Sequence, residues 1–282
     1  MLRTVNMQAQ NLFVSELGKG YDNIVEITPS GEQSTFATVV GAWGLAFDDA
    51  GNLFVADDAG RNIDEFVNNN GTLSSSATLV ASGLLGPQAL AIDSAGNLFV
   101  AQPYFGNNII KITPGGVQST FASGLDWPEG LAFDSAGNLF EADWNSGHIY
   151  KFTPGGVQST FASGVWGAYA LAFNRAGNLF VANQSYNEIT EITPSGVQST
   201  FASGLSPEPC ALAFNSAGDL FVAETDSGNI IKITSDGTQS TFASGLDEPI
   251  GLAFQPVPEP SALGLLAVGT TTFLVRRRHW HR

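Results

Sequence analysis

A short segment recurs six times along this chain, and the repetition limits the fold more than any other feature of the sequence. The segment NLFV, or a close variant, begins at positions spaced 40 to 45 residues apart: Asn11, Asn52, Asn97, Asn138, Asn178 and Asp219. A fixed period of this length is typical of repeat architectures in which every repeat is one supersecondary unit. The sequence therefore predicts six copies of one small structural unit.

Each repeat contains four short apolar segments separated by turn residues. The segments are LAF or LAI, then NLFV, then ITP or FTP, then STFA, and the second copy is degenerate in its last two segments. Runs of four to six residues rich in Phe, Val, Ile and Thr favour strands. Four antiparallel strands in about 40 residues make one blade of a propeller. We therefore expect an all-β fold.

The order of the segments predicts how the ring closes. The chain starts near an NLFV segment with no LAF segment before it, and its repeats end with LAF at residues 252–254. The last LAF strand is free to complete the first blade, which would remove the open edges of the sheet array. We predict a six-bladed β-propeller over residues 1–256, with four-stranded antiparallel blades and the first blade closed by the C-terminal strand.

Composition excludes some classes of partner. The formal net charge is −15, and four of the eleven basic residues lie in the last seven positions. The rest of the chain is therefore strongly acidic, and it repels the phosphates of nucleic acids and anionic lipid headgroups. Cys210 is the single cysteine, so neither an intrachain disulfide nor a cysteine-based zinc site is possible.

One stretch of the repeat carries a family resemblance. The sequence PEGLAFDSAGNLFEAD at residues 128–143 resembles NHL-repeat propellers and the broader class of senescence-marker/gluconolactonase-like (SMP-30/gluconolactonase-like, SGL) proteins. The resemblance covers about residues 10–255 and implies a six-bladed propeller. It says little about activity, because this fold carries many functions.

The end of the chain resembles a second known element. Residues 257–260 read VPEP, residues 261–275 are apolar, and RRRHWHR follows. This order is similar to a PEP-CTERM sorting signal, which assigns residues 257–282 to a sorting tail with a short hydrophobic helix in transient contact with the membrane. The resemblance implies recognition by an exosortase-type enzyme. The residues of the expected sorting motif are Pro258, Glu259, Pro260, Arg276, Arg277 and Arg278.

The sorting tail predicts export to the cell envelope or the extracellular space. Proteins with such tails also carry an N-terminal signal, whereas MLRTVNMQAQ has no apolar stretch of that kind. We therefore expect either a misassigned start codon or a truncated gene.

Two of the turns in each repeat are nearly uniform. They read DSAGN or a variant after the first strand, and mostly TPGGVQ or TPSGVQ after the third. The side chain that opens the DSAGN-type turn is expected to accept backbone hydrogen bonds in an Asx-turn. One Asp and one Asn per turn are too few oxygen ligands for a calcium loop. The turn-opening residues are Asp48, Asp93, Asp134, Asn174 and Asn215.

The remaining loops are diverse, aromatic and acidic. In antiparallel blades they share one face of the ring. Large aromatic side chains in loops suit contacts with a partner or a sugar, and the alternative is local packing at blade junctions. The predicted ligand-binding residues are Trp43, Tyr104, Trp127, Glu129, Trp144, Trp166 and Tyr169.

The position two residues before each LAF or LAI leucine should lie at the mouth of the central channel. Gluconolactonase-type enzymes gather a Glu, an Asn and an Asp there to hold a divalent metal, whereas these positions offer one carboxylate, Glu129, and one amide, Gln88. That activity is therefore not carried over. His148, the one histidine of the body, is expected to be an exposed loop residue. The six positions are Trp43, Gln88, Glu129, Tyr169, Cys210 and Ile250.

Two functions follow from these observations. The first is an exported, non-catalytic propeller that binds a polysaccharide or a protein partner of the cell envelope, with no cofactor and no catalytic residues. The alternative is a metal-dependent lactonase or related hydrolase, in which Glu129, Asp143 and Asp226 would hold Ca²⁺ or another divalent metal.

Overall fold

The computed structural model describes residues 10–18 and 22–257, which contain no helix and form six four-stranded antiparallel sheets. The sheets are the blades of a propeller, and the strands are numbered in chain order. Blade 1 comprises β1 (Leu12–Glu16), β2 (Asn23–Ile27), β3 (Gln33–Thr38) and β26 (Pro249–Phe254). Blade 2 comprises β4 (Ala42–Phe47), β5 (Leu53–Asp57), β6 (Asn62–Phe66) and β9 (Thr78–Ser82).

The other four blades each follow one another without interruption. Blade 3 comprises β10 (Leu90–Ile92), β11 (Leu98–Gln102), β12 (Asn108–Ile112) and β13 (Gln118–Ser123). Blade 4 comprises β14 (Pro128–Phe133), β15 (Leu139–Asp143), β16 (His148–Phe152) and β17 (Gln158–Ser163). Blade 5 comprises β18 (Ala168–Phe173), β19 (Leu179–Asn183), β20 (Glu188–Ile192) and β21 (Gln198–Ala202). Blade 6 comprises β22 (Pro209–Phe214), β23 (Leu220–Glu224), β24 (Asn229–Ile233) and β25 (Gln239–Ala243).

The predicted closure of the ring is confirmed. Strand β26 pairs antiparallel with β1, with Leu12 opposite Phe254 and Val14 opposite Leu252. The two ends of the described chain therefore share blade 1, and blade 6 contacts blade 1 as it contacts blade 5. Each hydrophobic cluster of the core joins neighbouring blades, so closure leaves no apolar blade face in solvent.

Phenylalanines of the repeat join the blades. Phe140 of β15 contacts Phe161 of its own blade and Phe173 on the first strand of blade 5, each with ring centroids 4.9 Å apart and edge-to-face geometry. Such pairs contribute about 0.5–1.5 kcal/mol each beyond their burial. Equivalent trios recur around Phe13, Phe99, Phe180 and Phe221. The same two Phe positions of the repeat thus supply the contact between blades.

Blade 2 departs from the regular repeat because of an inserted hairpin. The short strands β7 (Asn68–Asn69) and β8 (Thr72–Leu73) form it between the third and fourth strands of the blade. The insertion accounts for the longest spacing between NLFV segments and for the degenerate end of the second repeat.

The uniform turns have the predicted structural role. Asp93 Oδ1 accepts the backbone N–H groups of Ala95 and Asn97, at 3.0 and 2.8 Å. Asn174 Oδ1 makes the corresponding bonds to Ala176 and Asn178. On the same side of the ring, Lys232 Nζ lies 2.8 Å from Asp219 Oδ2. We call this side the turn face, and the opposite side, formed by the diverse loops, the loop face.

No helix within residues 10–18 and 22–257 is long and apolar enough to cross a membrane. The predicted sorting motif and C-terminal hydrophobic helix, at residues 258–282, lie outside the described residues.

Candidate functional site

A cavity of about 130 Å³ lies on the central axis of the ring, where the six inner strands meet. Each inner strand lines it with three consecutive residues: a variable residue nearest the loop face, then Gly or Ala, then Leu. We call the ring of variable residues the channel mouth. Its members are the six residues that the sequence placed there: Trp43, Gln88, Glu129, Tyr169, Cys210 and Ile250.

Close packing of the inner strands fixes the position of the channel mouth. A Cβ atom on Gly130 of β14 would lie 2.5 Å from the carbonyl oxygen of Tyr169 on β18, and Gly44 and Gly251 face their neighbours at even closer range. Only glycine tolerates such an approach of two backbones. The side chains of the channel mouth therefore project from a rigid and narrow ring.

One side of the channel mouth is apolar and the other is polar. Trp43, Tyr169, Cys210 and Ile250 belong to one hydrophobic cluster that spans blades 1 and 6. Gln88, from blade 3, is 3% exposed, and neither atom of its amide makes a hydrogen bond of ordinary geometry among the described residues, although the Tyr104 hydroxyl is close enough to interact with it. A buried amide without partners costs about 1–3 kcal/mol, which indicates a position suited to a polar group from outside.

Glu129, on blade 4, lines the same cavity as Gln88 of blade 3 and is 5% exposed. Burial raises the pKa of its carboxyl group from 4.5 to about 8, because the charged form loses its hydration. Two tyrosines are close enough for Glu129 to affect them. Burial, followed by the charge of Glu129, raises the pKa of the Tyr104 and Tyr169 hydroxyl groups.

Glu141 is a functional candidate that our sequence reasoning missed. It stands on β15 where the other five repeats have valine, and it is fully buried. Neither of its carboxyl oxygens has a hydrogen-bond partner within the described chain. Burial raises its pKa well above the usual value, and the charges of Asp143 and Glu129 raise it further. The sequence did contain a signal for this residue, because the segment NLFE has glutamate where the other five copies have valine.

Three aromatic rings form a row next to Glu129. The rings of Tyr104 and Trp127 are 5.1 Å apart at 69°, and those of Trp127 and Trp144 are 5.3 Å apart at 31°. Tyr104 is 46% exposed, and the adjacent Phe105 is 71% exposed. We call Tyr104, Trp127 and Trp144 the aromatic row, which connects the tops of blades 3 and 4.

Trp127 adopts a backbone conformation that is unusual for a bulky residue, with a φ of 64°. Glu208 and Glu248 occupy the corresponding place before the proline that starts β22 and β26, and their φ values are 63° and 52°. The conformation therefore belongs to this type of loop, and the tryptophan is the feature particular to blade 4.

The other predicted aromatic residues lie apart from the row. Trp43 and Tyr169 are half-buried in the apolar side of the channel mouth. Trp166 is 50% exposed and covers Gly147, where an added Cβ atom would lie 3.0 Å from its ring. The structure thus brings Tyr104, Trp127, Trp144 and Glu129 together, and it does not place Trp166 in ring contact with them.

A second polar ring, at the ends of the NLFV strands, anchors loops. Asp143 accepts the backbone N–H of Asp126 at 2.8 Å and that of Ser146 at 3.2 Å. Glu224 accepts the N–H of Ser206 at 2.7 Å. Glu16 and Gln102 make the equivalent bonds in blades 1 and 3. In blades 1, 3, 4 and 6 these residues hold the loop that enters the inner strand.

The structure does not bring the alternative metal ligands together. Asp143 is committed to loop anchoring, and Asp226 is an exposed residue of the β23–β24 loop of blade 6, two blades away from Glu129. Among residues 10–18 and 22–257, no three His, Cys, Asp or Glu side chains form a group able to hold a metal ion.

The histidine and the cysteine of the described residues are both at least half-buried. His148 begins β16 and is half-buried, with its ring 5.5 Å from that of Tyr150, so the expectation of an exposed loop residue was wrong. The Cys210 thiol lies 3.0 Å from the carbonyl oxygen of Pro249, and burial raises its pKa to about 12. A thiol held protonated in this way is a poor nucleophile.

The loop face is strongly acidic. Among its described residues Arg61 is the single lysine or arginine, whereas Lys111, Lys151, Arg175 and Lys232 all lie toward the turn face. The acidic residues that surround the channel mouth on the loop face are Asp22, Asp57, Asp58, Asp126, Glu208, Asp226, Asp247 and Glu248. Such a distribution attracts cations and repels anionic ligands.

Comparison with known proteins supports the fold. The family model described as the dipeptidyl peptidase IV (DPP IV) N-terminal region matches residues 171–248. No curated protein matches the sequence. A chain of a nidogen/laminin complex superposes with a TM-score of 0.77 and 18% identity, over 89% of this chain and 99% of that chain.

Bacterial lyases are also similar in structure. A catalytically inactive virginiamycin B lyase from Staphylococcus aureus, solved with quinupristin, has a TM-score of 0.64 and 17% identity over 90% of this chain and 94% of that chain. A streptogramin B lyase has a TM-score of 0.58 and 15% identity, over 87% and 95% of the two chains. At these identities the likenesses show the fold, and the chain is accordingly a six-bladed β-propeller.

Proposed function

We propose that this protein is a non-catalytic recognition module, exported to the cell envelope, that binds a protein partner through the aromatic row and the adjoining channel mouth. The single observation that carries the proposal is the continuous patch of Tyr104, Trp127 and Trp144 beside a buried and partly unsatisfied polar pocket. Aromatic residues clustered next to a desolvated pocket are typical of the centre of a protein interface.

The geometry favours a protein over a polysaccharide. The rings of the aromatic row meet at 69° and 31°, so they do not present a flat platform on which successive sugar rings would stack. Phe105 extends the patch as an exposed apolar side chain without a hydroxyl group. A polar rim around an apolar centre is the usual arrangement of a protein interface, and here the polar groups around the centre are mostly acidic.

Retention of envelope material provides the test. Full-length protein is immobilised and exposed to the protein fraction of the cell envelope, to the same fraction after protease digestion, and to purified envelope polysaccharide. We expect retention of the undigested fraction alone, and its loss in Trp144→Ala and Tyr104→Ala. Val157→Ala is the matched control, because Val157 is 67% exposed on the turn face.

Two results would contradict the proposal. Equal retention by Trp144→Ala and Val157→Ala would show that the aromatic row takes no part in binding. Retention of the polysaccharide, unaffected by protease, would assign the loop face to a sugar ligand instead.

The sorting tail is a separate part of the proposal. Processing by an exosortase-type enzyme would remove the residues that follow the Pro258–Glu259–Pro260 element, so a C-terminal tag should be lost from the exported protein. A version with Glu259→Ala should keep the tag. Recovery of tagged, full-length protein from the cytosol alone would contradict export.

A further inference from the structure

We infer that the channel mouth receives one basic side chain, a lysine or arginine of the protein partner. Glu129 and Gln88 would bind this side chain beneath the aromatic row. The inference rests on the proposed function, in which the partner is a protein. The inference follows from the size of the cavity, the chemistry of its polar side, and the charge of the loop face around it.

The cavity has the size of a side chain. A volume of 130 Å³ equals that of roughly four water molecules, which is enough for the end of a lysine or arginine side chain and far too small for a folded element. The small residues beneath the channel mouth, such as Gly130 and Ala170, leave room along the axis. A side chain that projects from a partner surface therefore fits this cavity.

The polar side of the cavity lacks the group that would complete it. The Gln88 amide is 3% exposed, and neither of its atoms makes a hydrogen bond of ordinary geometry among the described residues, although the Tyr104 hydroxyl is close enough to interact with it. Glu129 lines the same cavity, and burial is the sole cause of its raised pKa, with no hydrogen bond that lowers it. A donor with several N–H groups would satisfy the Glu129 carboxylate and the Gln88 carbonyl oxygen together.

The surrounding groups favour a cation over a neutral ligand. Aromatic rings line the cavity at Trp43 and Tyr169, and Tyr104 stands close to Glu129. Ammonium and guanidinium groups bind to such ring faces, most strongly when desolvated. The acidic loop face, with Arg61 as the single lysine or arginine of its described residues, directs positively charged ligands to the site.

The same surroundings predict the direction of the pH dependence. The pKa of Glu129 is about 8, so this carboxyl group is mostly neutral at pH 6, and a cation must displace its proton. Affinity for the cation therefore rises as the pH rises from 6 to 8. A neutral ligand that accepts a hydrogen bond from the protonated carboxyl group would show the opposite trend.

Other titratable groups that face Glu129 do not reverse this trend. The hydroxyl groups of Tyr104 and Tyr169 and the thiol of Cys210 keep their protons, because burial raises the pKa of each. Ionisation of Glu141 would add a second negative charge and strengthen cation binding in the same direction.

Asp143 also faces this region, and its oxygens are already bonded to the backbone N–H groups of Asp126 and Ser146. The charge of Asp58 acts on Tyr104, whose pKa it raises. The variant Glu141→Val isolates the contribution of Glu129, because any pH dependence that persists in it does not come from Glu141.

The test uses capped single amino acids as probes on the full-length protein. Nα-acetyl-lysine methylamide and its arginine counterpart are titrated at pH 6 and pH 8, and binding is followed by tryptophan fluorescence, since Trp43 lines the cavity. The Nε-acetylated form of the lysine probe is the neutral control. We expect dissociation constants on the order of 1 mM for the two cations at pH 8.

The expected pattern has three parts. The cationic probes bind at least tenfold more weakly at pH 6 than at pH 8, and the neutral probe does not bind. Glu129→Gln weakens cation binding at least tenfold and, when it is made together with Glu141→Val, removes the pH dependence of that binding. Asp226→Asn is the matched control: it removes one charge from an exposed position of the same face and should change the affinity less than twofold.

Three outcomes would overturn the inference: binding of the neutral probe equal to that of lysine, affinity that falls as the pH rises, or unchanged binding by Glu129→Gln. Failure here is distinguishable from failure of the proposed function. If Glu129→Gln and the wild type retain the envelope protein equally and Trp144→Ala does not, the partner binds the aromatic row without a basic side chain in the channel.

Discussion

Replacement of Glu141 by valine should make this protein more stable. Glu141 is fully buried, and neither carboxyl oxygen has a partner in the described chain. Valine fills the same position in the other five blades, where it is also fully buried, as at Val100 and Val181. The variant therefore restores the valine that the other five repeats have at this position.

The magnitude follows from the group that is removed. A buried polar group without a partner costs about 1–3 kcal/mol, and an apolar group of similar volume avoids that cost. We expect the free energy of unfolding to rise by about 2 kcal/mol at pH 7, which corresponds to an increase in Tm of roughly 4–8 °C for a domain of this size.

The gain should depend on pH in a defined direction. The pKa of Glu141 is raised in the folded protein, so the native state keeps a proton that the unfolded chain releases above its ordinary value of 4.5. The wild type therefore loses stability as the pH rises above that value, and Glu141→Val lacks this part of the loss. The difference between the two proteins should be smallest near pH 4 and larger at pH 8.

Urea unfolding at pH 4, 6 and 8, with calorimetry for Tm, measures both effects. Glu141→Gln separates them, because it removes the ionisable group and keeps a buried polar one. Val181→Glu is the reciprocal change, and it should destabilise blade 5. A Glu141→Val protein that is less stable than the wild type at pH 8 would refute the reasoning and show that Glu141 has a stabilising partner in solution.

Three further changes test other parts of the structure. The pKa of Glu129 is about 8 in the folded protein and 4.5 for an ordinary glutamate, so the free energy of unfolding falls between these pH values by up to roughly 1.4 kcal/mol per pH unit. Glu129→Gln should remove this contribution to the pH dependence, as measured by urea unfolding at pH 5 and 8. Gly130→Ala should lower Tm by several degrees, because its Cβ atom would lie 2.5 Å from a backbone oxygen, whereas Ala170→Gly at the equivalent position should cost about 1 kcal/mol or less. Asp143→Ala should increase amide hydrogen exchange at Asp126, whose N–H it binds, and leave the turn face unchanged, whereas equal exchange in both proteins would contradict the anchoring role.

The candidate site was only partly predictable from sequence. The six residues of the channel mouth were predicted from their position before each LAF segment, because every repeat places the same position at the same radius and height. The loop-anchoring role of Asp143 was not predicted. In sequence it is one more acidic residue near Trp144, and only the hydrogen bonds to Asp126 and Ser146 distinguish an anchor from a ligand.

Glu141 shows the limit most clearly. The sequence displays a glutamate in place of valine, but burial and the lack of partners depend on how blade 3 covers blade 4. His148 is similar: the strand that begins there and the ring of Tyr150 determine its exposure.

By itself the sequence determined the number of blades, the four strands of each blade, the Asx-turns and the pairing of the last strand with the first. These features depend on local patterns and on their order, both of which a linear sequence displays. Only the tertiary structure decided that Gln88, Glu129 and Tyr169 share one pocket and that Trp127 meets Trp144. Such residues belong to separate strands and loops, so their distances and their access to water are set by the closed ring and not by any local pattern.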